Sequence, residues 1–477
     1  MKITFLTPPP PQPGPPPERV AGCAYGLYPV PNVFILYAAA TALESGSEAV
    51  YRDLAIEGYD RKKFRQYLAE DDSGIYAVYS VNLSIETDIS ALSDIREIRA
   101  DVPVIFFGPA ATRFPVKFCT DKDVTVIRGE PEFTFRELLK SGDRLSREIP
   151  GTTCLSGNGL IDNPPRPLIM NPDEIPFPAR ELVKDRYYYS PKLMGRPFTA
   201  ALASRNCPHK CRFCVPCSLS FAAELEYRKY NRGEKPPVRR RSPGNIAREF
   251  EKIKEQGYRA VSMQDDEFIW GPSWTKEAAK AIGASGVEWG CAARADMIKD
   301  DIVRVMAENG CRYIDLGIES FDQRILDDIG KNISADVFAP AVKTIQKHKI
   351  AAKVNILIGA SPLETPETVR HSMKKVKELG ADQVMYNIAS PFPGTRFYED
   401  AKKNKWFRYG DYIPLDVQKR SIINYPGLPG EEMEKLLRKG NREFFLSIKF
   451  IKENLWRLKS VGHVINSLKS LYRKLRG

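Results

Sequence analysis

Histidine is scarce in this chain: four in 477 residues, and none before His209. Chemistry housed in the first 208 residues must therefore proceed without an imidazole as ligand, acid or base. Long apolar runs are missing as well. None reaches the eighteen or so residues of a membrane span, and the opening MKITFLTPPP reads as a buried first strand rather than a signal peptide, so the expected location is the cytoplasm. The nine cysteines are an odd number in a long chain without a secretion signal, which argues against a disulfide framework.

What is present is an ordinary globular composition, 43% hydrophobic and 28% charged, in a chain longer than one core organises, so two or three domains are expected. The net charge of +12 is concentrated at one end. Residues 401–477 hold 18 lysines and arginines against 7 acidic residues, and the rest is nearly neutral. From Phe444 the apolar residues Phe444, Ile448, Ile451, Leu455, Leu458, Ile465, Leu468, Tyr472 and Leu475 recur mostly at three or four positions among basic ones, the pattern of a basic amphipathic helix. Such a helix either lies peripherally in a membrane interface or packs its apolar face on the protein. Nucleic acid is the less favoured partner, because no separate RNA-binding domain or aromatic-basic patch accompanies it.

The first stretch alternates strand-like runs (KITFLTP, EAVYRD, IYAVYS, PVIFFG, VTVIRG) with helix-like ones (NVFILYAAATALESG, ISALSDIREIRA). That is the signature of a parallel sheet covered on both faces. Between Ile149 and Pro197 the proline-rich NPPRPLIMNPDEIPFPARELV reads as a linker without regular structure. Six further strand-like runs follow, FTAALASRN, AVSMQDD, EWGCAARA, YIDLGIES, AKVNILIGA and QVMYNIASP, with amphipathic helices between them. The expected fold class is thus α/β: a doubly wound parallel-sheet domain at 1–145, a linker at 146–195, a partial (β/α)6 barrel at 196–425 and a helical basic segment at 426–477. In such barrels functional residues gather at the carboxyl ends of the strands.

Four cysteines fall within eleven residues there, directly after the first barrel strand: Cys207-x3-Cys211-x2-Cys214, then Cys217. Soft thiolates select an iron-sulfur cluster or zinc. A zinc ribbon needs a second Cys or Cys/His pair, which is not found, but the bare spacing leaves both metals open. Cys217 reads as a spare thiol or a regulatory one, and Cys291 and Cys311 as small buried strand residues.

The stretch ALASRNCPHKCRFC resembles the signature loop of radical S-adenosylmethionine (SAM) enzymes. The resemblance implies that Cys207, Cys211 and Cys214 hold a 4Fe-4S cluster whose open iron takes SAM, which is cleaved to a 5'-deoxyadenosyl radical. MQDDEF, with Asp265 and Asp266, stands where the family has its SAM amino-group motif. Arg294 in CAARAD, Glu319 and Ser320 in LGIES, Asn355 and Gly359 in NILIGAS and the PFPGT turn at 391–395 resemble segments of members with an attached cobalamin-binding domain. By this likeness Phe213 offers its backbone to the adenine, and Asp266 and Glu319 meet the methionine amino group and the ribose. Two plainer readings stand beside these: a solvated strand end for residues 265–267, and a helix cap for Glu319.

The first domain is similar to the cobalamin-binding domain of such proteins, with VPNVFILYAAATALESGSEAVYRDL as its first helix and second strand and GEPEFTFRELL as its last turn and helix. It lacks the Asp-x-His-x-x-Gly motif, so no histidine of this domain ligates cobalt. Cobalamin is expected near Pro8–Pro10, Ser80–Leu83 and Gly108–Pro109, at the strand carboxyl ends.

The resulting expectation is a radical SAM enzyme that modifies an unactivated carbon of a small molecule or lipid. It does so with cobalamin, by methyl transfer or by radical cyclisation or rearrangement, and is reduced by a donor such as flavodoxin or ferredoxin. One alternative is a cobalamin-free enzyme whose first domain only shapes the pocket. Another is an RNA methylthiotransferase, against which the poor spacing of Cys23, Cys119 and Cys154 and the helical end both speak. A third is a non-catalytic metal-binding scaffold. No residue is assigned a catalytic role.

Overall fold

The computed structural model describes residues 1–22, 24, 25, 29–141, 148–157, 159–448, 450 and 451. Cys23 and most of the basic amphipathic helix expected from Phe444 onward lie outside them. The chain divides into two units. The first is Met1–Pro208 with Val215–Asp266 and Ala284–Glu288; the second is His209–Cys214 with Glu267–Gly283 and the chain from Trp289 onward.

The first unit opens with five parallel strands, β1 (Lys2–Thr7), β2 (Glu48–Asp53), β3 (Ile75–Tyr79), β4 (Val104–Phe107) and β5 (Val124–Ile127), in the spatial order β2-β1-β3-β4-β5. Every residue of β3 is buried, so both faces of the sheet require cover. Ile75, Ala77 and Tyr79 face one core with helices α1 (Val33–Glu44) and α6 (Glu132–Lys140), where the rings of Phe5, Phe107 and Phe135 cluster. Tyr76 and Val78 face the other, with α2 (Arg61–Glu70), α3 (Ile85–Ile98) and the short α4 (Pro109–Arg113) and α5 (Pro115–Phe118). The order reverses between β1 and β3, which makes their carboxyl ends the topological switch point.

One expectation for the linker is corrected. Thr152–Ser156 (β6) and Gly159–Asp162 (β7) form a hairpin that extends this sheet antiparallel beyond β5. The β-branched Thr152 and Thr153 favour a strand, and no proline falls between Pro150 and Pro164.

The first unit also holds β8 (Phe198–Ala201), a two-stranded ribbon of β9 (Ser204–Arg205) and β10 (Arg239–Arg240), α7 (Ser218–Tyr230), α8 (Pro243–Glu255) and β11 (Ala260–Met263), which pairs with β8 in parallel. The second unit continues the strand-helix alternation: α9 (Pro272–Gly283), β12 (Glu288–Ala293, from Trp289), α10 (Asp300–Glu308), β13 (Cys311–Glu319), α11 (Gln323–Asp328), α12 (Phe338–Lys347), β14 (Ala351–Ile358), α13 (Pro366–Leu379), β15 (Gln383–Ile388), α14 (Arg396–Lys403) and α15 (Gly430–Phe445). Strands β12 to β15 pair in parallel in chain order. All six strands expected for the barrel are therefore formed, and Cys291 and Cys311 are buried on β12 and β13. Among the described residues no helix is long and apolar enough to cross a membrane.

Candidate active site

In the first unit the chain enters the cysteine loop through β9. Asn206, immediately before Cys207, adopts a left-handed backbone with φ of 68°, which asparagine tolerates better than other non-glycine residues. Its N–H donates to Ser220 Oγ at 3.1 Å and its Nδ2 to the Ser220 carbonyl at 3.2 Å, while Oδ1 accepts from Arg239. Cys207, Cys211 and Cys214 are partly exposed thiols outside any disulfide.

The two aspartates after β11 differ. Asp265 is buried, and its oxygens accept from Ala203 N at 3.1 and 3.2 Å and from Ser204 Oγ at 2.6 Å; burial pushes its carboxyl up to about 7. Asp266 accepts from Cys217 N at 2.7 Å through Oδ1, but its buried Oδ2 has no hydrogen-bond partner. Burial raises its carboxyl too. This is no solvated strand end. Cys217 donates to Ser220 Oγ at 3.2 Å, and burial holds its thiol well above the ordinary range, so it is a poor thiolate.

In the second unit Cys211 faces cations. Burial disfavours charge on Lys331, yet Glu319, 3.0 Å from its Nζ, and Cys211 together raise its pKa; Cys211 acts likewise on Arg294. Glu319 sits at φ of 68° and does not cap α11, whose first turn is capped by Asp322. Arg294 is committed to Asp296 at 2.8 Å and to the Lys331 carbonyl at 3.1 Å, and its N–H donates to Glu267 at 2.7 Å. Glu267 is buried, which pushes its carboxyl up to about 8. Within the loop Arg212 is tied by its side chain to Asp328 at 2.7 Å and by its N–H to the Ile329 carbonyl at 3.0 Å.

Ser320 Oγ accepts from Asp322 N at 3.1 Å, and Asn355 Nδ2 lies 3.4 Å from the Leu316 carbonyl. The N–H of Gly359 donates to Glu364 at 2.9 Å, its carbonyl accepts from Tyr425, and a Cβ there would sit 2.7 Å from Met433 Sδ. Phe213 is partly exposed. Lys331, Arg212, Asn206 and Glu364 were not expected from the sequence. Asn206 and Arg212 stand inside the signature loop, and Lys331 carries no local signal at all.

At the switch point Ser80 is buried and donates to Asp88, and Gly22 packs against Val81. Two buried amide atoms there have no partner: Nδ2 of Asn32, the N-cap of α1, and Oδ1 of Asn82, just past β3. Ala55 occupies the place of the motif histidine between Asp53 and Gly58. Cys119 and Cys154 are buried, and Cys119 donates to the Thr153 carbonyl at 3.3 Å.

A parallel strand-helix series with a three-cysteine loop after its first strand defines the class, and residues 202–376 match the radical SAM superfamily. The chain belongs to that superfamily, whose enzymes use a 4Fe-4S cluster and SAM. It is 32% identical over 382 residues to an uncharacterised methyltransferase of Pyrococcus horikoshii, covering 76% of each chain. To the cytidylyl-2-hydroxyethylphosphonate methyltransferase of Streptomyces wedmorensis it is 24% identical over 466 residues, covering 86% of this chain and 85% of that one. Its fold is similar to that of the cobalamin-dependent SAM radical enzyme OxsB, with a TM-score of 0.70 and 13% identity over 99% of this chain and 70% of that one.

Proposed function

We propose that this protein is a cobalamin-dependent radical SAM methyltransferase acting on an unactivated carbon of a small molecule. The observation that carries the cobalamin reading is the pair of unpartnered amide atoms, Asn32 Nδ2 and Asn82 Oδ1, at the switch point. Buried amides are rarely left unsatisfied, and a ligand fringed with amides would complete these two. The names of both methyltransferase relatives support methyl transfer over cyclisation. An RNA methylthiotransferase is disfavoured by the burial of Cys119 and Cys154.

Cys211 fits as a cluster ligand, because the cationic Lys331 and Arg294 beside it favour thiolate, and Cys207 and Cys214 of the same signature loop would supply the other two thiolates. When bound, the cluster supplies the electron that cleaves SAM and the corrin supplies a methyl carrier. The protein's part is positioning. Asp266 Oδ2 is the open acceptor for the methionine ammonium, while Asp265 is committed to holding Ala203 and Ser204. Glu319, anchored by Lys331, serves the ribose; Phe213 presents its backbone to the adenine; Arg294, Ser320, Asn355 and Gly359 shape the remaining SAM contacts. Reduction calls for a flavodoxin or ferredoxin type of donor. A cytoplasmic enzyme whose basic carboxyl-terminal segment touches a membrane surface would have access to lipid-like substrates.

The deciding experiment is anaerobic reconstitution with iron, sulfide and hydroxocobalamin, then metal analysis and an assay with SAM and dithionite. Cobalt bound one to one beside about four irons, with SAM cleaved, is the expected result. Iron and SAM cleavage without cobalt would sink the cobalamin reading.

A further inference from the structure

The turn Gly129–Pro131 and the first residue of α6, Glu132, follow β5 at the end of the first sheet's parallel series, yet the carboxylates of Glu130 and Glu132 point to the chain entering the cysteine loop. Glu130 Oε1 lies 2.7 Å from Arg205, Glu130 Oε2 lies 2.6 Å from Arg239, and Glu132 Oε1 lies 2.6 Å from Arg205. All four side chains are at most 4% exposed. Burial alone would raise the Glu130 carboxyl, but the Arg239 and Arg205 guanidiniums outweigh it and hold the group below its ordinary value. Two arginines thus face two carboxylates in a charge-balanced, water-excluded cluster.

Buried charge costs desolvation, and apolar residues of the same size often serve stability as well or better. Such a network is then best understood through what it orients. Here Arg239 also donates to Asn206 Oδ1, and Arg205 precedes Asn206 in the chain. With its Nδ2 and N–H taken by Ser220, Asn206 has each polar group of its side chain engaged. Its left-handed backbone sets the direction in which Cys207 leaves β9.

We propose that Glu130 and Glu132 are positioning residues for the iron-sulfur cluster: through Arg205 and Arg239 they lock Asn206 and so aim the Cys207 thiol. The proposal rests on the reading of Cys207 as a cluster ligand. It makes the last turn of the first sheet a part of the cluster site, independent of whether that sheet holds a corrin.

The test uses the full chain, reconstituted anaerobically as Glu130→Gln with Glu132→Gln, Asn206→Gly, Asp94→Asn and Cys207→Ala. Each is read by iron loss to a chelator and by the EPR spectrum of the reduced cluster with and without SAM. Asp94→Asn removes a buried carboxylate partnered by Arg61 and Arg65 in the same unit and controls for destabilisation. Glycine accepts a positive φ freely, so Asn206→Gly folds where the double variant fails to. The glutamine pair and Asn206→Gly are expected to lose iron about 10-fold faster than wild type and to shift the EPR spectrum, while Asp94→Asn lowers the melting temperature and leaves iron and spectrum unchanged. Wild-type iron retention and spectrum in Asn206→Gly, or in the glutamine pair, overturn the clamp. An unchanged cluster in Cys207→Ala overturns instead the ligand reading beneath it.

Discussion

Asp265 and Asp266 follow the same strand, β11, but their surroundings differ. Asp266 has an oxygen to spare and Asp265 has none. If Asp266 receives the SAM ammonium as proposed, removing its charge deletes that acceptor, and a hydrogen bond to a charged group is worth about 1.5–3 kcal/mol. Asp266→Asn should therefore weaken SAM binding roughly 10- to 100-fold by calorimetry, and Asp265→Asn should leave it nearly intact. Asp265 shows itself in stability instead. Its folded-state pKa is pushed up to about 7 by burial, above the unfolded 3.8, so its contribution is complete below the unfolded value and is lost as pH rises through 7. The loss is on the order of 4 kcal/mol. Asparagine keeps Oδ1 as acceptor for Ser204 and Ala203. Thermal melts from pH 5.5 to 8.5 should thus fall more steeply for wild type than for Asp265→Asn, and parallel curves would show that Asp265 stays ionised throughout.

At the level of elements, legibility followed the number of apolar positions. The run VFILYAAATA of α1 is buried on all sides and was plain in the sequence, as were the six barrel strands. In α2, RKKFRQYLAE, only Phe64 and Leu68 are buried, and two positions are too few for a periodicity to show. The β6–β7 hairpin was hidden because a proline-rich stretch follows it closely. Strand register has its own device in Gly290, where a Cβ would fall 2.2 Å from the ring of Tyr313 on the neighbouring strand. Gly290→Ala must displace that ring, an overpacking that costs about 1–3 kcal/mol. Urea unfolding should show this loss, and Tyr313→Leu added to Gly290→Ala should recover part of it. Additive losses would mean that the ring already has room to move.

Across the whole molecule, the site was legible only where its residues are neighbours in sequence. The cysteine loop could be read, but the ion pairs that hold it could not, because Arg239 and Glu130 are 109 positions apart and Arg128 and Glu226 are 98. No periodicity or spacing signals a partner at that range. These pairs bind the first sheet to segments that follow the loop: Arg128, 1% exposed, comes after β5, and Glu226 lies on α7. A shortened chain beginning at Pro197 would keep Glu226, Arg205 and Arg239 but lose Arg128, Glu130 and Glu132. Breaking one buried pair by removing a single partner costs about 3–5 kcal/mol, and two such clusters together approach the entire stability of a domain, about 5–15 kcal/mol. The apolar face that α1 and the strands lend to Ala200, Leu202 and Leu219 would be lost as well. The shortened chain should therefore aggregate or retain no cluster on anaerobic reconstitution, as judged by size exclusion and iron content. A monodisperse fragment that binds iron and cleaves SAM would show instead that the first sheet is a separable accessory.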